Sequence, residues 1–338
     1  MSETLYSTED FEVNSLHRFL PSCTMSPVMR IVFWLLCTIF VLDAKVRILT
    51  FHYNRPEFIE LQSRLFDRFL VDDFEIIVFN DGPSEAMAAS IRDMCLRCNI
   101  QCVRYEQEWH LINPLNEYIQ EQLRRPGIRL YMPFQSTEIA YIAQHPTVRH
   151  CHVIQYAMDT YGYDHDDIVA ICDGDAFPIR PLSLKHLLDL YDIVGERKHM
   201  WIENLDYLWV VFIAFDPRKL PHPRELKFHI DAIRDQLYDS GAHTYHYLAR
   251  HPDLKVWKSP CRASSQLAQL SVDQLRVEGF SLPEIAWIKE LPLPHCVEFS
   301  FDHSILHYGG SSFPGSGHCE KMEYVRKFVD QIMDACKF

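Results

Sequence analysis

Long runs of lysine or arginine are absent from this sequence of 338 residues. Acidic residues outnumber basic ones by 46 to 33, and the formal net charge is −13. Because an acidic surface repels phosphate backbones, the composition argues against nucleic acid as a partner. A nucleotide diphosphate could still bind, but only where a local cation or a metal ion offsets its charge.

The sequence also has no internal repeat and no low-complexity stretch. Its 11 cysteines are scattered, apart from Cys95, Cys98 and Cys102, and they outline no disulfide framework. A zinc site at Cys95 and Cys98 would need a second ligand pair, such as His243 and His246. Buried free thiols on a helix are the interpretation that the spacing favours.

An apolar run long enough to cross a bilayer is missing as well, since a transmembrane helix needs about 20 residues. The longest apolar stretch is IVFWLLCTIFVL at residues 31–42, between Arg30 and Lys45. It fits the core of a signal peptide, with Ala44 at a cleavage point, or a short membrane anchor. We therefore expect a secretory or membrane-associated protein. The alternative is a buried first helix or strand in a cytoplasmic protein.

From Lys45 onward the sequence alternates between strand and helix patterns. Apolar, β-rich runs predict strands at 46–51, 74–79, 100–103 and 168–172. Helices are expected after Asn54, which can cap one, and from Ser84, whereas Pro146 should break a mostly helical segment at 105–160. This alternation predicts an α/β fold with a mostly parallel sheet flanked by helices. Ligands of such sheets bind beyond the carboxyl ends of the strands.

Two aspartates follow the fourth predicted strand directly, in the triplet Asp173-Gly174-Asp175. Carboxylates at the end of an apolar strand are poorly solvated, and this arrangement is costly unless a cation neutralises them. Their oxygens suit a hard ion such as Mg²⁺ or Mn²⁺. The alternative is a turn in which the aspartates cap backbone amides. A second triplet, at 164–166, has no strand before it.

Residues 45–83 resemble the opening of family 2 glycosyltransferases of the A-type fold. The resemblance implies that loops after the first two strands hold a nucleoside, with Tyr53 and Arg55 lining the pocket and Asp81 bonded to the base or ribose. The family's DxD motif matches residues 173–175. Asn80 is a mild departure from the acidic residue that the family has there.

The second half resembles another branch of the same superfamily in three ordered blocks: FIAFD at 212–216, LYDSGAHTYHYL at 237–248 and ILHYGGSS at 305–312. A late histidine often supplies a third metal ligand in A-type enzymes, and His307 occupies that place here. Trp209 departs from the branch pattern, because Val210 and Val211 follow it instead of proline and glycine.

The resemblance covers about residues 45–315 and implies a single mixed, mostly parallel sheet flanked by helices. It places an extension at 1–44 before one domain at 45–338. Residues 45–180 of that domain would bind the nucleotide sugar, and residues 181–338 would bind the acceptor.

The implied reaction is metal-dependent transfer of a sugar from a nucleotide-diphosphate sugar to a glycan, lipid or protein hydroxyl. An inverting enzyme also needs a carboxylate base facing the acceptor. Asp239, in a turn of the second half, is our candidate, and Glu203 and Asp206 are rivals. An enzyme that retains configuration needs no such base.

Two other function classes stay open. Phosphatases of the haloacid-dehalogenase type also have an apolar strand ending in D-x-D. However, two strand–helix units precede Asp173 here, and no Gly-Asp-x-x-x-Asp element follows Asp175. The second alternative is a relative that binds a nucleotide or glycan without turnover.

Overall fold

A computed structural model of the protein describes residues 45–106, 117–118, 121–122, 124–127, 129–130, 146–166, 168–200, 205–291, 297–309 and 318–335. The apolar segment at 31–42 and the rival base Glu203 lie outside the described residues. Within the ranges given, no helix is both long and apolar enough to cross a membrane.

The strands of the described residues are β1 Val46–His52, β2 Phe74–Asn80, β3 Gln101–Arg104, β4 Arg129–Leu130, β5 Ile168–Asp173, β6 Ala176–Pro178, β7 Ile193–Met200, β8 Leu205–Phe215, β9 Asp231–Ile233, β10 Gln236–Tyr238, β11 Val256–Pro260, β12 Arg262–Ala263, β13 Glu298–Ser300 and β14 Ile305–His307.

The helices are α1 Glu57–Phe69, α2 Glu85–Arg97, α3 Pro146–Ala157, α4 Leu184–Leu190, α5 Thr244–Arg250, α6 Ser264–Leu267, α7 Val272–Val277, α8 Leu282–Glu290 and α9 His318–Ala335. A short π-helical turn, Met158–Gly162, extends α3.

A seven-stranded mixed sheet forms the centre of the fold, in the order β3-β2-β1-β5-β8-β7-β11. Neighbouring strands are parallel except that β8 runs antiparallel to both β5 and β7. The predicted mixed, mostly parallel sheet flanked by helices is thus confirmed. Two smaller sheets, β12-β13-β14-β6 and β4-β10-β9, accompany it.

Successive residues of each strand point to opposite faces of the central sheet, and helices cover both of these faces. On one face, Ile48 of β1 packs in a cluster with Phe66 of α1 and Leu188 of α4. On the other face, Phe51 of β1 packs with Ile154 of α3. The near-continuous apolar character of these strands follows from this burial on both sides.

Three local features show where sequence patterns were sound and where they were not. Helix α2 begins next to Ser84, where its start was predicted, and the Ser84 hydroxyl caps it by accepting a hydrogen bond from the Met87 amide at 3.3 Å. Asn54 does not cap α1, because Pro56 already has helical backbone angles and occupies the cap position without a side-chain bond. Pro146 is the first residue of α3, a position that suits a residue without an N–H group. The segment before Pro146 lies outside the described residues, so the predicted break there stays a prediction.

Parallel pairing brings the carboxyl ends of three strands together. Phe51 pairs with Asp173, and His52 pairs with Asn80. The four-stranded sheet β12-β13-β14-β6 brings a segment from near the end of the sequence to this edge, because His307 of β14 pairs with Ala176 of β6. Residues far apart in the sequence thereby meet at one end of the central sheet.

The turn between β5 and β6 is held by a glycine and a buried amide. A Cβ atom on Gly174 would lie 2.2 Å from the Phe51 carbonyl oxygen, so only glycine fits there. The Gln62 side chain of α1 donates to the carbonyls of Asp173 and Ala176 at 2.8 and 2.9 Å. Its own oxygen accepts a hydrogen bond from the Thr50 hydroxyl at 3.0 Å.

Replacing Gln62 should therefore destabilise the turn that carries both aspartates. Gln62→Ala leaves buried carbonyls without a donor, so we expect a loss of about 1–3 kcal/mol in the free energy of unfolding. The matched control is Arg64→Ala, which changes an exposed residue of the same helix. Urea titration would measure both variants, and equal stabilities would show that Gln62 does not support the turn.

Candidate active site

Asp173, Asp175 and His307 lie together at the carboxyl edge of the central sheet. Each offers one ligand atom, and these atoms lie within 4.8 Å of one another. His307 Nε2 is 3.2 Å from an Asp175 carboxylate oxygen, and both side chains are buried. The structure thus brings together the three side chains predicted to hold a metal, and we call them the carboxylate–histidine triad. Their role as ligands stays a prediction.

Glu298 holds the other side of the His307 ring. The Glu298 carboxylate is 2.9 Å from His307 Nδ1, on the neighbouring strand of a β-hairpin. Metal-binding histidines commonly have such a partner, which fixes the tautomer and aims the other nitrogen at the ion. Nothing in the sequence singled out Glu298, since its position opposite His307 depends on the register of β13 and β14.

The electrostatics of the triad favour positive charge between the carboxylates. Burial raises the pKa of Asp173, with the nearby Asp175 adding to the effect and His150 opposing it. Burial alone would lower the pKa of His307, but Asp175 and Glu298 hold it well above its ordinary value. The protein without metal therefore places a proton on His307, where a divalent cation would supply the same compensation.

A second group of side chains surrounds Asp81, at the end of β2. The guanidinium of Arg149 donates to the Asp81 carboxylate at 2.7 Å, and it lies 4.8 Å from the centre of the Tyr53 ring. Burial raises the pKa of Asp81, and Arg149 opposes that shift. Tyr53 and Asp81, both predicted to bind a nucleotide, thus meet around an arginine of α3 that sequence reasoning missed.

Helix α3 reaches the triad through the next residue. His150 Nε2 lies 3.7 Å from the Asp173 carboxylate, and its ring packs edge-on against Phe51. The following residue, Cys151, is buried. Two consecutive residues of one helix, Arg149 and His150, therefore lie beside Asp81 and Asp173 respectively.

Arg55 lies in a different environment from Tyr53 and Asp81. It lines an open cleft of about 710 Å³ together with Glu57 and residues of α9, among them Arg326. As far as the described residues show, the lining of this cleft includes no member of the triad. Arg55 lies in this cleft, and its role in nucleotide binding stays a prediction.

Asp239 is buried and accepts a hydrogen bond from the Tyr207 hydroxyl at 2.5 Å. Burial raises the pKa of Asp239, and the charge of Lys198 opposes that shift. Lys198 also lies 3.4 Å from the centre of the Trp209 ring, which packs edge-on against His307 at 5.3 Å. Lys198 and Trp209 thus lie between the predicted base and the triad.

Asp206, a rival for the role of base, is engaged elsewhere. Its carboxylate lies 2.8 Å from the Lys258 ammonium and 3.4 Å from the Arg197 guanidinium. Two cations at these distances stabilise the ionised carboxylate and make it a weak proton acceptor.

No protein-family model and no curated protein matches this chain. Solved structures similar to the chain include the galactosyltransferase LgtC in complex with donor and acceptor sugar analogues, at 11% identity, 84% coverage of this chain, 95% coverage of that chain and a TM-score of 0.37. An active-site mutant of LgtC is 12% identical, with 83% and 95% coverage and a TM-score of 0.39.

Metal binding to the triad should depend steeply on pH. Because the pKa of His307 is raised, its imidazole is protonated near neutral pH in the protein without metal, and a metal ion must displace that proton. We expect the affinity for Mn²⁺ to fall by up to about tenfold for each pH unit lowered below the His307 pKa.

Isothermal titration calorimetry in buffers of different ionisation enthalpy would count the protons released. His307→Gln is the matched comparison and should bind Mn²⁺ weakly and without that proton release. An Mn²⁺ affinity of the unaltered protein that does not change between about pH 6 and pH 8 would contradict the prediction.

Proposed function

We propose that this protein is a glycosyltransferase that moves a sugar from a nucleotide-diphosphate sugar to an acceptor hydroxyl. The observation that carries the proposal is the cluster of Asp173, Asp175 and His307 at the carboxyl edge of the sheet, in which Asp175 and His307 are buried. Ligands of mostly parallel sheets bind at this edge. Asp81 follows β2 directly, at the same edge, where β2 pairs with β1.

The donor set fits a divalent cation such as Mn²⁺ or Mg²⁺. Two carboxylates would hold a hard ion, and His307 would add an imidazole nitrogen whose ring Glu298 already orients. When bound, the ion would offset the charge that develops on the diphosphate leaving group. Lys198 provides a further positive charge near the triad, which matters in a protein with a net charge of −13.

The nucleoside would lie against Tyr53 and Asp81. Tyr53 offers a ring face, and Asp81 offers a carboxylate that Arg149 holds in place. The Arg149 guanidinium is itself a cation beside this pocket, so it could contact a phosphate as well. Arg55, which the resemblance also assigned to the pocket, would need to reach it from the cleft beside α9.

Asp239 is the proposed general base for an acceptor hydroxyl of a glycan, lipid or protein. Burial raises its pKa toward the range in which a carboxylate accepts a proton near neutral pH. The hydrogen bond from Tyr207 fixes the orientation of the carboxylate. Asp206 lacks this environment because two cations already neutralise it.

Asp175→Asn should remove the metal-dependent part of donor binding. A nucleotide diphosphate with Mn²⁺ should raise the melting temperature of the unaltered protein, because a ligand at 100 times its Kd stabilises the folded state by about 2.7 kcal/mol. The variant should lose this Mn²⁺-dependent shift while keeping its fold. The chain offers a matched control in Asp166→Asn, an exposed aspartate of the other D-x-D triplet.

A panel of nucleotide sugars, assayed for hydrolysis and transfer, completes this experiment. Turnover that needs both Mn²⁺ and Asp175 supports the proposed enzyme. Tight, Mn²⁺-dependent binding without turnover of any donor would instead identify a non-catalytic relative. An identical Mn²⁺ response in the Asp175→Asn and Asp166→Asn variants would remove the metal site altogether.

Asp239→Asn should separate chemistry from donor binding. We expect transfer to slow by about 10²–10⁴-fold, the usual contribution of a positioned base, with nucleotide binding unchanged. Asp235→Asn, at an exposed position in the β9–β10 turn, is the control for the same hairpin. If Asp239→Asn transfers sugar at the normal rate, Asp239 is not the base. The corresponding Asp206→Asn variant then tests the rival.

A further inference from the structure

A second group of metal-ligating side chains lies where the three-stranded sheet β4-β10-β9 meets the start of α5. His229, Asp231 and His243 each offer one ligand atom, and these atoms lie within 4.8 Å of one another. His246, three residues after His243, places its Nε2 atom 3.6 Å from the Asp231 carboxylate. None of these residues belongs to the carboxylate–histidine triad, so the group is a separate set of ligands.

One carboxylate oxygen of Asp231 is the meeting point of this group. It lies 2.5 Å from His243 Nδ1 and 3.6 Å from His246 Nε2. The rings of His229 and His243 are 4.3 Å apart. Ligands of a tetrahedral zinc ion, bound at about 2.0–2.1 Å, lie roughly 3.3 Å from one another. For the group to surround an ion, the contact between Asp231 and His243 would lengthen, and the ligand atom of His246 would move closer to the others.

Partners outside the group orient its members. The other oxygen of Asp231 accepts hydrogen bonds from the Tyr118 hydroxyl and from the Ala232 amide. His229 Nδ1 is 2.8 Å from the Ile230 carbonyl, so this nitrogen carries the proton and leaves Nε2 as the ligand atom. Hydrogen bonds from other residues to the ligating carboxylate and imidazole, like these, are typical of metal sites in proteins.

A simple ion pair between Asp231 and His243 would explain two of the four residues. It would not explain why His229 and His246 also lie beside the same carboxylate.

We propose that His229, Asp231, His243 and His246 bind a zinc ion. Three imidazoles and one carboxylate are ligands that zinc prefers, and four protein ligands make a closed, structural site. The sequence spacing is compact on both sides, as His-x-Asp and His-x-x-His. The cysteines Cys95 and Cys98, considered from the sequence, take no part, since they pack with α1 and β2.

The ion would fasten together the two ends of the segment that carries Asp239. His229 precedes the β9–β10 hairpin and Asp231 is its first residue, whereas His243 and His246 follow it. The backbone already brings these ends together, because the His243 amide donates to the His229 carbonyl at 3.2 Å. Zinc would thus fix the position of the Asp239 turn without touching the carboxylate–histidine triad.

The test uses the full chain carrying Asp175→Asn, so that the triad does not contribute to metal binding. After chelator treatment, zinc is added back and counted by mass spectrometry, and Co²⁺ is titrated as a visible probe of tetrahedral geometry. We expect one zinc ion per chain and the intense absorption of tetrahedral Co²⁺. His246→Gln, at a half-exposed position, should weaken zinc binding by at least about tenfold.

The matched control is His251→Gln, which changes a histidine at the other end of α5. A double variant, His229→Gln with His246→Gln, should bind no zinc, and circular dichroism would confirm that it is folded. The proposal is overturned if the unaltered ligand set binds no stoichiometric zinc. Equal zinc affinities in the His246→Gln and His251→Gln variants would overturn it too. Neither result bears on Mn²⁺-dependent donor binding.

Discussion

The close approach of two carboxylates in the turn after β5, the half-buried Asp173 and the buried Asp175, is the constraint on which the surrounding structure depends. Taking such charges out of water is costly unless other groups compensate them. Here His307 faces Asp175, His150 faces Asp173, and the Gln62 amide donates a hydrogen bond to the Asp173 carbonyl. The pairing of β14 with β6 brings the compensating His307 to this turn.

Local patterns were sufficient to predict the fold class and several of its parts. The strands that became β1, β2 and β5 are mostly apolar, because helices cover both of their faces. Their alternation with amphipathic helices predicts parallel pairing, which places Asp81 and Asp173 at one edge. His307 was assigned through resemblance alone, and its packing against Asp175 is a product of antiparallel pairing between β14 and β6.

The sequence does not reveal contacts that depend on how distant elements dock. Gln62 and Arg149 are polar residues within helices, and such residues are usually solvated. Nothing in the local pattern indicates that Gln62 is buried beneath the turn or that Arg149 pairs with Asp81. Glu298 could not be predicted for a similar reason. A single carboxylate on a short strand does not stand out in the sequence, and its role depends on the histidine that the strand pairing places opposite it.

Helix α3 links the surroundings of Asp81 to those of Asp173. Arg149 and His150 are consecutive residues of this helix, and they lie beside the Asp81 and Asp173 carboxylates respectively. Because a helical turn is stiff, any contact that drew Arg149 away from Asp81 would also shift His150 relative to Asp173. A change at the end of β2 would therefore be transmitted along the helix to the end of β5.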